Sequence, residues 1–236
     1  MENTIPITEI FYSISGEGDR IGHPTVFIRV FGCNMNPVCP FCDTLYSVKK
    51  IDDTVVQYMP VEEIINHIIG YGCKDITFTG GEPLLYTSQI QNLMNILSLN
   101  GDYVFNFETN GMVFPDDLML KWHNIHWAVS PKLHAIDLKA NRYQAGTYVG
   151  KLRKWAILGP DTTIFKFVYE NNETVQQIKR LEWLMDGFQK KSIYLMPEGK
   201  IFDQKKYDQC ASACLQNEYI MSPRLHTIIW GAKRGV

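Results

Sequence analysis

Cys33, Cys39 and Cys42 are the residues of this 236-residue chain whose types and spacing speak most directly of chemistry. Half of the six cysteines fall in this one stretch, spaced Cys33-x5-Cys39-x2-Cys42. Grouped thiolates suit soft metal centres, either iron–sulfur or zinc. A structural zinc wants a fourth ligand nearby, and none is near in sequence: His23 lies before the preceding strand, and Asp43 is a weak donor. A four-iron cluster on three cysteines leaves one iron open for a cofactor. The [4Fe–4S] cluster is therefore favoured over zinc, and over three plain thiols beside a turn.

The elements that must position this loop follow an alternating pattern. Pro24–Phe31 reads as a strand that runs straight into the cysteines. Further strands are expected at Asp75–Thr79, Tyr103–Phe107, His126–Val129, Ile164–Tyr169, Ser192–Met196 and, closing the chain, Thr227–Trp230. Apolar residues at helical spacing predict helices over Pro60–Ile69, Ser88–Ser98, Glu173 to about Phe188, and Asp203–Gln216. Such alternation builds a parallel sheet with outer helices. Polar turns such as Gly80-Gly81-Glu82-Pro83, Glu108-Thr109-Asn110-Gly111 and Ser130-Pro131-Lys132 follow strands, at the carboxyl edge where parallel sheets build sites. About six core strands are too few for an eight-fold barrel, so a partial TIM-like barrel is expected, as a single domain over 1–236.

Composition agrees with a folded α/β chain: 45% hydrophobic and 20% charged. A net charge of −2 gives no global reason to bind nucleic acid or an anionic membrane. The start, Met-Glu-Asn-Thr-Ile-Pro, lacks the basic and apolar regions of a secretory signal. No apolar run approaches the roughly 20 residues of a membrane span. A cytoplasmic protein is expected, where cysteines serve as ligands or buried thiols. Cys210 and Cys214, four apart, read as buried thiols, and a second cluster with Cys73 has only spacing behind it. The scattered Trp122, Trp127, Trp155, Trp183 and Trp230 read as core or interface, and Lys151–Lys154 as a solvated surface turn.

With a Gly-Gly-Glu-Pro turn one strand and one helix later, the cysteine loop resembles that of the radical S-adenosylmethionine (SAM) superfamily. The usual loop is Cys-x3-Cys-x2-Cys with an aromatic residue before the last cysteine; Phe41 stands there, and the first interval is two residues longer. A closer resemblance covers nearly the whole chain, to the 7-carboxy-7-deazaguanine synthase family, in which the cysteine spacing varies. It is carried by Glu9–Gly18, Pro24–Arg29, Cys42-Asp43-Thr44, Thr79–Pro83, Glu108–Gly111 and Ser130–Lys132. The resemblance implies a shrunken barrel, a homodimer, a [4Fe–4S] cluster, SAM, Mg²⁺ and an external electron donor such as flavodoxin. It also implies a reaction: ring contraction of 6-carboxy-5,6,7,8-tetrahydropterin to 7-carboxy-7-deazaguanine, with loss of ammonia. A radical formed from SAM would abstract hydrogen from the pterin and later take it back.

Residue by residue, the resemblance implies that Cys33, Cys39 and Cys42 hold the cluster and Thr44 the Mg²⁺. Phe41, Cys42, Asp43, Gly81, Glu82, Ser130, Pro131, Lys132 and Met196 would meet SAM. Ile14, Ser15, Gly16, Arg29 and Thr79 would meet the pterin, although many relatives carry Gln in place of Ser15. Alone, Arg29 in an apolar strand suits either bidentate binding of a carboxylate or a buried ion pair. Thr44 alone reads as a helix cap, and Asn110-Gly111 as turn chemistry. Glu108 and Asn110 face the expected site. Near the end of the chain, Ser222-Pro223 and His226 match the family, while Arg224-Leu225 stand where Gln-Thr is common. Two rivals remain: another radical SAM enzyme, such as a glycyl-radical activase, and a zinc-stabilised binding module.

Overall fold

The computed structural model describes residues 3–51, 54–144, 146–159, 161–186, 189 and 192–236. Its strands are β1 (Thr4–Ile14), β2 (Pro24–Val30), β3 (Gln57–Pro60), β4 (Asp75–Gly80), β5 (Val104–Thr109), β6 (Ile125–Val129), β7 (Thr163–Tyr169), β8 (Ile193–Pro197) and β9 (Ile220–Met221). Its helices are α1 (Val61–Tyr71), α2 (Thr87–Ser98), α3 (Thr147–Ile157), α4 (Asn172–Met185), α5 (Gln204–Asn217) and α6 (Leu225–Trp230). Among the described residues the strands form one sheet in the order β3-β1-β2-β4-β5-β6-β7-β8-β9, with β3 and β9 at its two ends. From β2 to β9 every pairing is parallel, and β1 and β3 extend the sheet antiparallel. This is the expected partial barrel.

Strand alternation divides the side chains between two faces. Ile28, Phe78, Phe107, Trp127, Phe165, Phe167 and Leu195 point outward into a core shared with the helices. The helices answer with Ile64 and Ile68 of α1, Leu93 of α2, Leu152 and Trp155 of α3, Leu181 of α4 and Cys210 of α5. On the inner face the register sets Glu9 opposite Arg29, Arg29 opposite Thr79, and Thr77 opposite Asn106. The same face continues through Glu108, Lys166 and Met196. A polar lining thus sits inside a wall whose outer surface is apolar.

Helix ends follow local chemistry. α1 has Glu62 and Glu63 in its first turn and stops at Gly72 in the left-handed region. Asn171 caps α4 by accepting from the Glu173 N–H, and Asp203 caps α5 by accepting from the Lys206 N–H. The expected end of α4 at Phe188 lies outside the described residues.

Three expectations are corrected. Thr227–Trp230 is helical rather than a strand. Its β-branched residues favour a strand, but the Thr227 and Ile228 N–H groups both return to the Arg224 carbonyl, and Leu225 N–H donates to Gly16 O at 2.9 Å. Tertiary anchoring outweighs propensity here. Lys151–Lys154 is part of α3 and not a surface turn: Leu152 is fully buried, and Arg153 donates to the carbonyls of Arg142 and Leu184. Its charges hid the buried face formed by Tyr148, Val149, Leu152 and Trp155. β5 also runs on through Thr109, two residues past its expected end.

Candidate active site

A cavity of about 780 Å³ opens at the carboxyl edge of the parallel strands. Cys33, Cys39 and Cys42 all line it, each partly exposed. The loop that carries them is fastened at its stem. Gly81 N–H donates to Val30 O, Glu82 N–H to Gly32 O at 2.8 Å, and Gly32 N–H to Ser47 O at 2.8 Å. This stitching explains the glycine at 81: a Cβ there would lie 1.8 Å from the Gly32 carbonyl oxygen.

Glu82 is fully buried and is not among the cavity-lining residues. Its carboxylate accepts from Leu84 N–H, from Thr109 Oγ1–H at 2.7 Å and from Asn110 N–H at 2.7 Å. Burial pushes its carboxyl pKa up, while these donors pull it back. Glu82 thereby ties the turn after β4 to the end of β5. Asn110 carries the connection on: its Nδ2 donates to Asn34 Oδ1 at 2.7 Å and lies 3.8 Å from Cys33 Sγ. Its carbonyl accepts from Tyr148 Oη, and that same hydroxyl accepts from Lys132 N–H.

The other sequence-derived residues divide clearly. Phe41, Asp43, Thr44, Gly81, Ser130, Lys132, Met196, Ile14, Gly16, Arg29 and Thr79 line the cavity, as do Glu108 and Asn110. Ser15, Glu82 and Pro131 do not. Ser15 is buried, with its backbone paired to His23 and Gly22. Thr44 precedes a short 3₁₀ turn but makes no side-chain cap; its Oγ1 lies 3.9 Å from Cys42 Sγ. Lys132 Nζ donates to Ser130 Oγ at 2.9 Å and sits 5.8 Å above the Phe41 ring. Burial lowers its pKa, against the pull of Cys39.

Charge pairs line the same cavity. Arg29 donates through Nε to Glu9 Oε2 at 2.9 Å, and Tyr46 Oη donates to the same oxygen. Arg234, near the end of the chain, donates to Glu9 Oε1 at 2.6 Å and lies over the Tyr46 ring at 3.6 Å. Lys166 bridges Glu17 at 2.6 Å and Glu108 at 3.2 Å, and Glu108 accepts from Thr79 Oγ1–H at 2.6 Å. Burial alone would raise the Glu17 carboxyl pKa, but Lys166, Arg224 and His226 hold it well below the usual range. Burial pushes the His226 imidazole pKa down. Lys166 is missing from the residues expected at the site, yet it carries the same signal as Arg29, a lone cation in an apolar strand.

The donor set fits an iron–sulfur cluster: three soft thiols share one cavity. Burial raises the thiol pKa values of Cys33 and Cys39, while the nearby Lys132 ammonium pulls both down. Among the described residues, no three His, Cys, Asp or Glu side chains are grouped to hold a single metal ion. A four-iron cluster takes each thiolate on a different iron. Cys73 lies elsewhere, its thiol donating to the carbonyls of Pro24 and Asp75 at the amino edge. Cys210 and Cys214 are buried in α5.

Residues 27–148 match the family model of the Radical SAM superfamily. The 7-carboxy-7-deazaguanine synthase of Clostridium acetobutylicum is 31% identical over 232 residues, covering 98% of each chain. The chain belongs to the 7-carboxy-7-deazaguanine synthase family of radical SAM enzymes. The crystal structure of QueE from Escherichia coli shares the fold, with a TM-score of 0.69 at 21% identity over 94% of this chain and 95% of that one. So does anSMEcpe with bound AdoMet, with a TM-score of 0.52 at 16% identity over 86% of this chain and 62% of that one. Membership of the superfamily implies a [4Fe–4S] cluster and SAM. Among the described residues, no helix is long and apolar enough to cross a membrane.

Proposed function

We propose that the chain is a lyase that contracts the ring of 6-carboxy-5,6,7,8-tetrahydropterin to give 7-carboxy-7-deazaguanine and ammonia. One observation carries this reading. In a chain of this family, the three cysteines, the Gly80–Gly81 turn, Arg29 and Thr79 share one cavity.

Cys33, Cys39 and Cys42 would hold the cluster, which with SAM supplies one-electron radical chemistry when bound. The cofactor would meet Phe41, Cys42, Asp43, Gly81, Ser130, Lys132 and Met196, with Glu82 and Pro131 shaping the backbone beside it. Ile14, Gly16, Arg29 and Thr79 would meet the pterin, and Ser15, its backbone paired to His23 and Gly22, would hold Ile14 and Gly16 beside it. Glu9 orients the Arg29 guanidinium through Nε, which suits it to a substrate carboxylate. Thr44 would bind Mg²⁺ together with substrate oxygens and waters, because one hydroxyl is a weak ligand. The buried, paired walls would keep water from reactive species. The chain would act as a single cytoplasmic domain and, as the resemblance implies, as a homodimer fed by an external electron donor such as flavodoxin.

Anaerobic turnover tests the reading. The protein is reconstituted with iron and sulfide, reduced, and given SAM with 6-carboxytetrahydropterin. Formation of 7-carboxy-7-deazaguanine with little net 5′-deoxyadenosine is expected. Accumulation of 5′-deoxyadenosine without that product would overturn the substrate and keep the radical class.

A further inference from the structure

Every guanidinium nitrogen of Arg224 is committed to the protein. Nε donates to Glu17 Oε1 at 3.0 Å, Nη2 to Asp43 Oδ2 at 2.5 Å, and Nη1 to the Gly199 carbonyl. The backbone on which it sits is fixed as well. Its N–H donates to Tyr207 Oη at 2.9 Å, and its carbonyl accepts from the Thr227 side chain at 2.8 Å. The side chain is 9% exposed, yet it lines the cavity. A cation in a ligand cavity with all three nitrogens occupied is built to hold protein groups in place.

The groups it holds come from segments far apart in sequence. Asp43 follows Cys42 directly, and Glu17 lies in the β1–β2 connection. Through Glu17 the contacts continue as an alternating charge chain: Asp43, Arg224, Glu17, Lys166, Glu108, ending on Thr79. Planar donors pointing three ways are particular to arginine; an ammonium offers one point charge, and a Gln side chain has one amide.

We propose that Arg224 is a positioning residue that locks the cysteine loop, through Asp43, to the Glu17–Lys166–Glu108 chain across the inner face of the sheet. The proposal rests on the reading of Cys42 as a cluster ligand and is independent of the pterin assignment. Its consequence is that the loop is already set in the protein before cluster and SAM bind.

The test compares wild type, Arg224→Gln, Arg224→Lys, Asp43→Asn and the Arg224→Gln/Asp43→Asn double variant as full-length chains. Hydrogen–deuterium exchange of the metal-free proteins reads residues 39–46. The electron paramagnetic resonance spectrum of the reconstituted, reduced cluster, with and without SAM, reads the loop after loading. Arg224→Gln and Asp43→Asn are each expected to speed exchange across the loop by roughly tenfold, the scale of a lost charge-assisted hydrogen bond. Both should alter the spectral response to SAM. The double variant should go no further than either single one, and Arg224→Lys should recover part of the effect. Exchange that rises only around residues 222–230, with an unchanged spectrum, overturns the proposal; so do fully additive single effects. Should Arg224→Gln fail to fold, Asp43→Asn decides alone, since the Asp43 side chain is 42% exposed and its loss is tolerable to the fold. Unchanged loop exchange in that variant overturns the proposal. Neither readout uses the pterin, so a wrong substrate would show separately, as wild type that forms no deazaguanine.

Discussion

The two ends of the sheet's inner face carry similar residues and put them to different use. At the amino edge Arg20 pairs with Asp75, Asp75 accepts from Asn106 Nδ2 at 2.6 Å, and the Thr25 and Thr77 hydroxyls bond at 2.9 Å. These groups pair with one another, leaving Arg20 Nε and Asn106 Oδ1 buried without a hydrogen-bond partner among the described residues. At the carboxyl edge Lys166, Arg224, Glu17 and Glu108 are just as paired, yet they line a cavity with three thiols and Lys132. The β1–β2 connection divides the two, with Glu17 facing the cavity and Arg20 the amino edge. Gly18 lets that connection pass close to the sheet, since a Cβ there would come within 3.1 Å of Ile164 Cδ1. The difference teaches that strand parity makes the inner face polar throughout. Long loops at one end then turn polarity into a site, and a short plug at the other turns it into a seal.

The sharpest way to break this comparison is Cys39→Ala. It should abolish iron incorporation and turnover while leaving circular dichroism and the melting temperature close to wild type; a large fall in melting temperature would make the loop part of the seal. At the amino edge the opposite is expected. Asp75→Ala strands Arg20 and should cost about 3 kcal/mol of stability, read by denaturant unfolding, with iron content retained.

Glu17→Gln lies between the two and should cost about 2 kcal/mol at neutral pH. Because the folded-state pKa of Glu17 is depressed, its stabilisation is present above the ordinary carboxylate range and lost as pH falls through the folded value. The gap between wild type and variant should therefore hold at neutral pH and narrow only below about pH 4. A gap that grows on acidification would refute that arrangement. The smallest effect belongs to Cys210→Ala, away from both ends. Loss of one buried sulfur in α5 should cost about 1 kcal/mol and leave the iron-to-protein ratio unchanged.

Much of the site was legible because it is written in contiguous motifs. Cys33–Cys42, Gly80–Pro83 and Ser130–Lys132 each follow a strand, and strand order alone sends all three to one edge. What stayed hidden has a common cause. Lys166 and Arg234 matter through partners 149 and 225 residues away, and such pairing leaves no local pattern. Glu82 stands within a motif, but whether its carboxylate faces a cofactor or buries itself against β5 depends on where Thr109 and Asn110 lie. Thr227–Trp230 shows the same limit for secondary structure: the local preference is for a strand, and the anchors at Arg224 and Gly16 make a helix.

By itself, then, the sequence determined the core alternation of β2 and β4–β8 with α1, α2, α4 and α5, and the three thiols of the cysteine loop. These follow from periodicity and from residue chemistry within a few positions. Only the tertiary structure decided which charges meet, which end of the inner face is sealed, and that Arg224 joins Asp43 to Glu17. Those outcomes depend on the free energy of bringing distant side chains together in a buried space, which no local stretch of sequence encodes.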